Sequence, residues 1–265
     1  MRLTGVPATA LAIAAQRATE SKRPDRLFDD PFAARFVAAG GEIDKSGFPR
    51  RDTSKTWEVY DGYFALRTRF FDDFLVASEC RQVVILAAGL DTRAHRLPWR
   101  HEPRLFEIDY PELFAFKEDV LGESPAGCER ITVATDLAGE WTGPLVAAGF
   151  RPEEPTAWLV EGLLMYLTTE QGEQLLDTMT TLSAPGSQAA VETKQSALIR
   201  EVGGELMPFH PGVGPIAWLR AREWQVGTVP IATLGERYGR PVPARFDPAA
   251  DRPDGLLTAR KPSRS

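Results

Sequence analysis

Cysteine is scarce in this 265-residue chain, limited to Cys80 and Cys128. Two thiols at that spacing match no zinc or redox motif and build no disulfide framework, so a reducing, cytoplasmic setting is expected. Histidine is equally thin: His95, His101 and His210 are the whole set, and no two of them stand four residues apart. No metal is expected from such a set. Basic charge is in deficit, with 31 Lys and Arg against 37 Asp and Glu and a net charge of -6. That balance argues against nucleic acid as the main partner, although it leaves room for a local basic pocket. No apolar stretch is long enough to span a bilayer, so no membrane partner is expected. The apolar run from Val6 to Ala15 follows one arginine and could pass for a signal peptide. Pro7 at its start, and the polar Gln16, Arg17 and Glu20 that continue it, read instead as an Ala-rich helix.

What is present is an ordinary globular composition, 43% hydrophobic and 26% charged, in a chain long enough to bury its core unaided. Up to about residue 80 the pattern is helical. One helix is expected over about 8–20, a second from Asp30-Pro31, and a long one over about 53–78. In the last, Trp57, Tyr60, Phe64 and Phe71 recur at helical steps, a stripe suited to packing on a sheet. From residue 82 the pattern changes. The runs 83–87, 104–109, 130–135, 157–162 and 188–193 read as strands, with helices between them at about 92–97, 111–121, 138–148 and 169–182. Apolar strands separated by helices imply right-handed βαβ units and a parallel sheet covered on both faces. The weaker strands 224–228 and 255–260 suit an antiparallel edge pair, and the Gly- and Pro-rich stretch 200–215 reads as a loop or lid. The chain thus divides into an N-terminal helical cap, 1–80, and an α/β domain, 81–265, with 195–235 as a substrate-side insertion.

Ligands of open α/β sheets sit beyond the carboxyl ends of the strands, so the residues there matter most. The first strand runs into Ala87-Ala88-Gly89-Leu90-Asp91-Thr92-Arg93. Its single glycine lets backbone approach a ligand, but G-x-G-x-x-G is missing, and Asp91 would repel a pyrophosphate. An acid there suits a cationic amine, or a helix N-cap. The second strand ends in Asp109, followed by Tyr110-Pro111. An acid about 20 residues past the glycine turn is placed for a ribose hydroxyl pair, and a cap before Pro111 is the alternative. The third ends in Thr135-Asp136-Leu137, suited to an adenine amine and ring face, or again to a cap. The fourth ends in Glu161-Gly162, then Leu163-Leu164-Met165-Tyr166-Leu167; a carboxylate there needs a partner, whether ligand or ion pair. Four acidic strand ends suit a nucleoside with a cationic amino-acid tail, such as S-adenosylmethionine, better than they suit phosphate.

Six segments carry a specific likeness in this order: SKRPDRLFDDPFA (21–33), GYFALRTRFFDDFL (62–75), VVILAAGLDTRAHRLPW (83–99), FEIDYPELFAFK (106–117), TDL (135–137) and WLVEGLLMYL (158–167). On them, with APGS (184–187) and ERYGRP (236–241), the chain resembles the leucine carboxyl methyltransferase family of class I S-adenosylmethionine-dependent methyltransferases, including its bacterial and polyketide-tailoring branch. The resemblance implies a Rossmann-like α/β fold, a mostly parallel seven-stranded sheet with an N-terminal helical extension, and S-adenosyl-L-methionine as cofactor. It implies that Arg67, and Lys22 less directly, pair with the cofactor's carboxylate. Ala87, Gly89 and Gly162 would lie along the methionine part, Asp109 and Tyr110 at the ribose, Asp136 and Leu137 at the adenine, and Glu161 at the amine. Ala87 departs from the family, which often has glycine there. His95 replaces an aromatic and reads as packing or surface.

Such a cofactor carries the hard chemistry, and the protein supplies alignment. A carboxylate acceptor is already ionised and needs no base, whereas a phenol or alcohol usually does. The leading expectation is O-methylation of a carboxylate on a small organic acid or secondary metabolite, with Tyr166 first among the orienting candidates Arg69, Tyr166 and Lys194. A phenolic acceptor with His210 as base is the alternative within the chemistry. A nicotinamide dehydrogenase and a non-catalytic nucleoside-binding protein are the alternatives outside it.

Overall fold

The computed structural model describes residues 6–41, 61–192, 214–242 and 255–263. Trp57, Tyr60, Lys194 and His210 lie outside them. Seven strands form one sheet: β1 (Gln82–Leu86), β2 (Arg104–Asp109), β3 (Glu129–Ala134), β4 (Thr156–Val160), β5 (Gln188–Glu192), β6 (Gln225–Pro230) and β7 (Gly255–Arg260). Their order is β3-β2-β1-β4-β5-β7-β6, parallel throughout the first five, with β7 antiparallel to both of its neighbours. The expected edge pair is therefore present. It places 225–230, part of the supposed insertion, in the sheet itself.

Alternation along the strands sends successive side chains to opposite faces, and two cores result. Val83, Ile85, Leu105, Ala157 and Leu159 face α1 (Val6–Ser21), α3 (Asp61–Ala77) and α9 (Ile231–Tyr238). Val84, Leu86, Phe106, Ile108, Trp158 and Val160 face the helices α6 (Thr142–Ala147), α7 (Thr169–Thr181) and α8 (Pro215–Ala221). Phe64 and Phe71 pack into the first core as the aromatic stripe required. Phe106, Phe150 and Trp158 meet by ring contacts at 5.6–5.9 Å in the second. A third cluster joins α1 to α2 (Ala33–Gly40) and α5 (Pro111–Leu121) through Leu11, Ala14, Phe36, Leu113 and Phe116. The remaining short helix, α4 (Arg93–Arg96), follows the turn after β1. No helix among the described residues is long and apolar enough to cross a membrane.

Two helices start later than their sequence pattern suggests, each because a carboxylate captures nearby groups. Asp30 Oδ1 accepts the N–H groups of Phe32 and Ala33, so Pro31 sits in a turn and α2 begins at Ala33. Glu140 Oε1 accepts from the Thr142 hydroxyl and from Gly143 N, while Asp136 Oδ1 accepts from Ala138 N, and α6 begins only at Thr142. Such side-chain competition for backbone donors is typical of Asp and of turns.

Asp30 does more than cap. Its Oδ2 accepts from Arg17 Nε of α1 at 2.8 Å and from the Thr92 hydroxyl at 2.9 Å, and Arg17 Nη2 donates to the Leu90 carbonyl at 2.6 Å. One buried carboxylate thus ties α1, α2 and the turn after β1 together. Removing one member of a buried ion pair leaves the other charge unmatched and costs about 3–5 kcal/mol. Asp30→Ala should lower the unfolding free energy by about that amount in urea titration. A loss below about 1 kcal/mol would show that the tie carries little stability.

Candidate functional site

The site is located by the register of the sheet. Ile108 pairs with Leu86 and Val133, Leu86 with Val160, and Val160 with Val191. The parallel strands therefore end level with one another, and the residues that follow line a single rim. A cavity of about 430 Å³ opens there. Its lining includes Ala87, Gly89, Asp91, Asp109, Tyr110, Asp136, Leu137, Glu161, Gly162 and Tyr166, gathered from the ends of four separate strands and the loops that follow them. The sequence order of the strands reverses at β1 and β4, the location that binds ligands in open α/β sheets. Helix α1 covers the cavity through Thr9, Ala10, Ile13 and Arg17, which share one helical face.

The turn after β1 is tight: Asp91 N donates to the Ala88 carbonyl at 2.8 Å. Ala87 and Gly89 have φ of 53° and 52°, in the left-handed region. The glycine takes it freely, and Ala87 takes it at a cost of about 1–2 kcal/mol, which gives physical meaning to the departure from glycine at that position. At Gly89 a Cβ would meet Ala10 of α1 at 3.6 Å, so backbone, helix and cavity approach closely here. Asp109 Oδ2 accepts Gly89 N at 2.6 Å and Oδ1 accepts Tyr110 N at 2.7 Å. Burial raises the Asp109 pKa, against the pull of those two backbone donors. Across the cavity, the Tyr110 hydroxyl lies 3.2 Å from Asp136 Oδ1, to which it donates.

The floor between β1, β4 and β5 is charged and largely buried. Glu161 Oε2 accepts Arg93 Nη1 at 2.7 Å, and its Oε1 lies 2.9 Å from Arg67 Nε. Arg67 Nη1 reaches both oxygens of Glu192, at 3.0 and 3.1 Å. Glu192 also accepts from the Tyr63 hydroxyl and, at 2.7 Å, from Gly162 N. Arg93 pairs further with Asp91 and, through Nε at 2.7 Å, with Asp72 of α3, which holds Arg96 through both its oxygens. Burial opposes the charge on Arg67, but Glu192 and Glu161 outweigh it and raise its pKa. Burial likewise works to raise Asp91, but Arg93 and its neighbours bring it down to about 2.

Two expected residues do not join the site. Lys22 is exposed just past the end of α1 and does not line the cavity. Arg69 points away from it, donating to Asp73 and to the Leu27 carbonyl, both at 2.8 Å. Arg67 is in place, but two protein carboxylates already engage it. His95 donates from Nδ1 to the Pro125 carbonyl at 3.1 Å and packs on Phe32, as a structural residue does. Sequence reasoning missed Arg17, Arg93 and Glu192. The last could have been found: it ends the fifth strand, and the rule of inspecting strand ends stopped one strand short.

A seven-stranded sheet of this order, with an acid-rimmed cavity at the switch point, is the fold of class I S-adenosylmethionine-dependent methyltransferases. Residues 10–180 match the model of the leucine carboxyl methyltransferase family, and the chain belongs to that family. It is 45% identical over 266 residues to a protein of Parafrankia sp. (strain EAN1pec), covering 91% of this chain and 84% of that one. It is 41% identical over 274 residues to a protein of Streptomyces coelicolor, covering 93% and 90%. Both are named "putative S-adenosyl-L-methionine-dependent methyltransferase". Among solved structures, a duf574 family protein from Streptomyces avermitilis shares the fold at a TM-score of 0.55 and 16% identity, over 94% of this chain and 97% of that one. The cofactor is S-adenosylmethionine, and the site fits it. A buried carboxylate, Asp109, suits vicinal hydroxyls, and the close backbone approach at Gly89 leaves room that a side chain would fill. The lining holds five carboxylates, Asp91, Asp109, Asp136, Glu161 and Glu192, against four arginines, Arg17, Arg67, Arg93 and Arg96, an excess that suits a cationic ligand.

The depressed Asp91 has a consequence for acid stability. Its ionised form is favoured by folding, so the stabilisation is present above the unfolded value of about 3.9 and is lost as pH falls toward about 2. Urea midpoints measured from pH 5 to pH 2 should fall more steeply in the wild type than in Asp91→Asn. Parallel curves would remove Asp91 from the account of acid unfolding.

Proposed function

We propose that the protein is an O-methyltransferase that transfers the methyl group to a carboxylate of a small organic acid or secondary metabolite. The observation that carries this reading is the lack of a nitrogen or thiol base: among the described cavity-lining residues there is no histidine, lysine or cysteine. The carboxylates of the floor, Asp91, Glu161 and Glu192, are held by arginines. An acceptor that is already anionic needs no proton removed, so such a site is sufficient for it. The family description points the same way. The bound cofactor supplies a methyl group on a sulfonium sulfur, activated for in-line displacement.

The residues then divide the work. Asp109 receives the ribose hydroxyls with Tyr110 beside it, Asp136 and Leu137 frame the adenine, and the methionine end lies over Ala87, Gly89 and Gly162, facing Glu161. Arg67 acts through the carboxylates it holds. Ile13, Phe64, Met165 and Leu167 add an apolar wall that suits the body of the acceptor. Tyr166 is the orienting donor; burial raises its pKa, so its hydroxyl stays protonated, and it reaches Thr9 of α1 at 3.2 Å. Helix α1 with α2 and α3 forms the cap over the sheet domain. The phenolic alternative rests on His210, which lies outside the described residues.

The acceptor class is tested by offering methyl-labelled cofactor with a panel of organic acids and phenols. A carboxylate acceptor yields a methyl ester, whose label is released as methanol by mild alkali. Label that survives alkali would be an ether and would overturn the reading. The ribose assignment predicts a pH dependence. Cofactor hydroxyls favour the ionised form of Asp109, whose pKa is raised in the free protein. Affinity for S-adenosylhomocysteine should therefore rise with pH through that raised value and level off above it. Asp109→Ala should weaken binding by roughly 10- to 100-fold and abolish that rise, as loss of hydrogen bonds to a charged group implies. Calorimetric titration between pH 4 and pH 8 reads both effects, and unchanged affinity in the variant would remove Asp109 from the ribose site.

A further inference from the structure

The charged floor has an order that pairwise contacts conceal. Asp91, Arg93, Glu161, Arg67 and Glu192 form one continuous row across the ends of β1, β4 and β5, alternating in sign. Glu161 is its hinge, with one oxygen on each arginine. The row begins and ends on a carboxylate, so its formal charge is three negative against two positive, one net negative. The ion pairs that flank it do not change this sum. Asp72, which branches from Arg93, is matched by Arg96, and Asp30 by Arg17. The side chains of Arg67, Arg93 and Glu192 are only 4%, 3% and 4% exposed, so water screens the excess poorly. An unscreened negative charge distinguishes ligands that differ by one positive charge far more strongly than a solvated one does.

We propose that this row makes Asp91 and Glu192 specificity-determining residues, whose excess charge selects the sulfonium form of the cofactor over the thioether left after transfer. The inference rests on the placement of the methionine end proposed above. The two ligands share adenine, ribose, ammonium and carboxylate. They differ only at sulfur, where the S–CH3 bond breaks and its electron pair returns to sulfur, taking the ligand from one net positive charge to zero. The acceptor oxygen gains the methyl group. After transfer the row faces a ligand that no longer balances it, so the reaction itself weakens the hold on its product.

The experiment is calorimetric titration of the whole protein, without acceptor, by S-adenosylmethionine and S-adenosylhomocysteine in parallel. The wild type should favour the sulfonium by on the order of tenfold, the scale of one partly screened charge interaction. In Glu192→Gln, which keeps an acceptor for Gly162 N but drops the charge, the ratio should fall toward one. Asp91→Asn removes the same charge at the other end of the row and should narrow the ratio likewise. Glu192→Asp keeps the charge and should keep the preference even where both affinities fall. Equal affinity of the wild type for the two ligands would overturn the proposal, and needs no variant to fold. So would an unchanged ratio in both charge-removing variants. Asp109→Ala separates this from failure of the underlying placement. Parallel weakening of both ligands there supports the placement, so that an unchanged ratio elsewhere counts against the row alone. No weakening in Asp109→Ala would overturn the placement and the row with it.

Discussion

Burying a carboxylate costs several kcal/mol unless a cation or a set of donors meets it, and the architecture of this cavity follows from that cost. The level ends of five parallel strands bring acids to one rim, and each has to be matched. Asp109 is met by backbone N–H groups, Glu161 by two arginines, and Glu192 by an arginine, a tyrosine and the Gly162 amide. The matching groups come from α3, from the turn after β1 with α4, and from the backbone after β2 and β4. The helical cap is therefore bonded to the sheet by the same groups that line the cavity.

This coupling explains why the cap and the site cannot be considered apart. Arg17 and Asp30 bring α1 and α2 onto the turn that carries Gly89, while Asp72 of α3 holds Arg93 and Arg96 from behind. Helices α1 and α3 thus line the cavity and contribute Arg17 and Arg67 to its charge. A site lined with ion pairs is also rigid in a useful sense: alignment of a methyl donor and an acceptor is worth up to roughly 7–11 kcal/mol of the barrier, and only fixed groups supply it. The same ion pairs leave no lining carboxylate of the floor free to act as a base, which is why the chemistry proposed for this chain avoids one.

A second buried cluster sits behind the site and shows the same rule without lining the cavity. Glu107 of β2 receives Lys117 of α5 at 2.8 Å and Arg130 of β3 at 2.7 Å on a single oxygen. Lys117 helps Arg93 hold the Asp91 carboxyl down through space, so a residue with no face on the cavity contributes to the field inside it. Packing on both sides of β2 thereby serves the electrostatics of the rim.

Much of this was legible along the chain. Short, nearly continuous apolar runs separated by helical stretches located all seven strands to within about two residues, because strands buried on both faces demand them. Acids at the ends of β1 to β4 marked the rim, because strand ends are where an open sheet receives its ligand. Local competition for backbone donors at Asp30 and Glu140 shifted two helix starts, a detail that side-chain rotamers decide. The partnerships were not legible. Arg67 and Glu192 lie 125 residues apart, and Arg93 and Glu161 lie 68 apart. Nothing in local composition tells which arginine meets which acid, since that depends on the register of strands and the docking of α3. The sequence alone determined the alternation of elements and the acids they carry, because both follow from short-range periodicity and hydrogen-bonding capacity. Only the tertiary structure decided that those acids and arginines would form one row with a single charge left over, because the sum is taken over groups that folding alone brings within 3 Å.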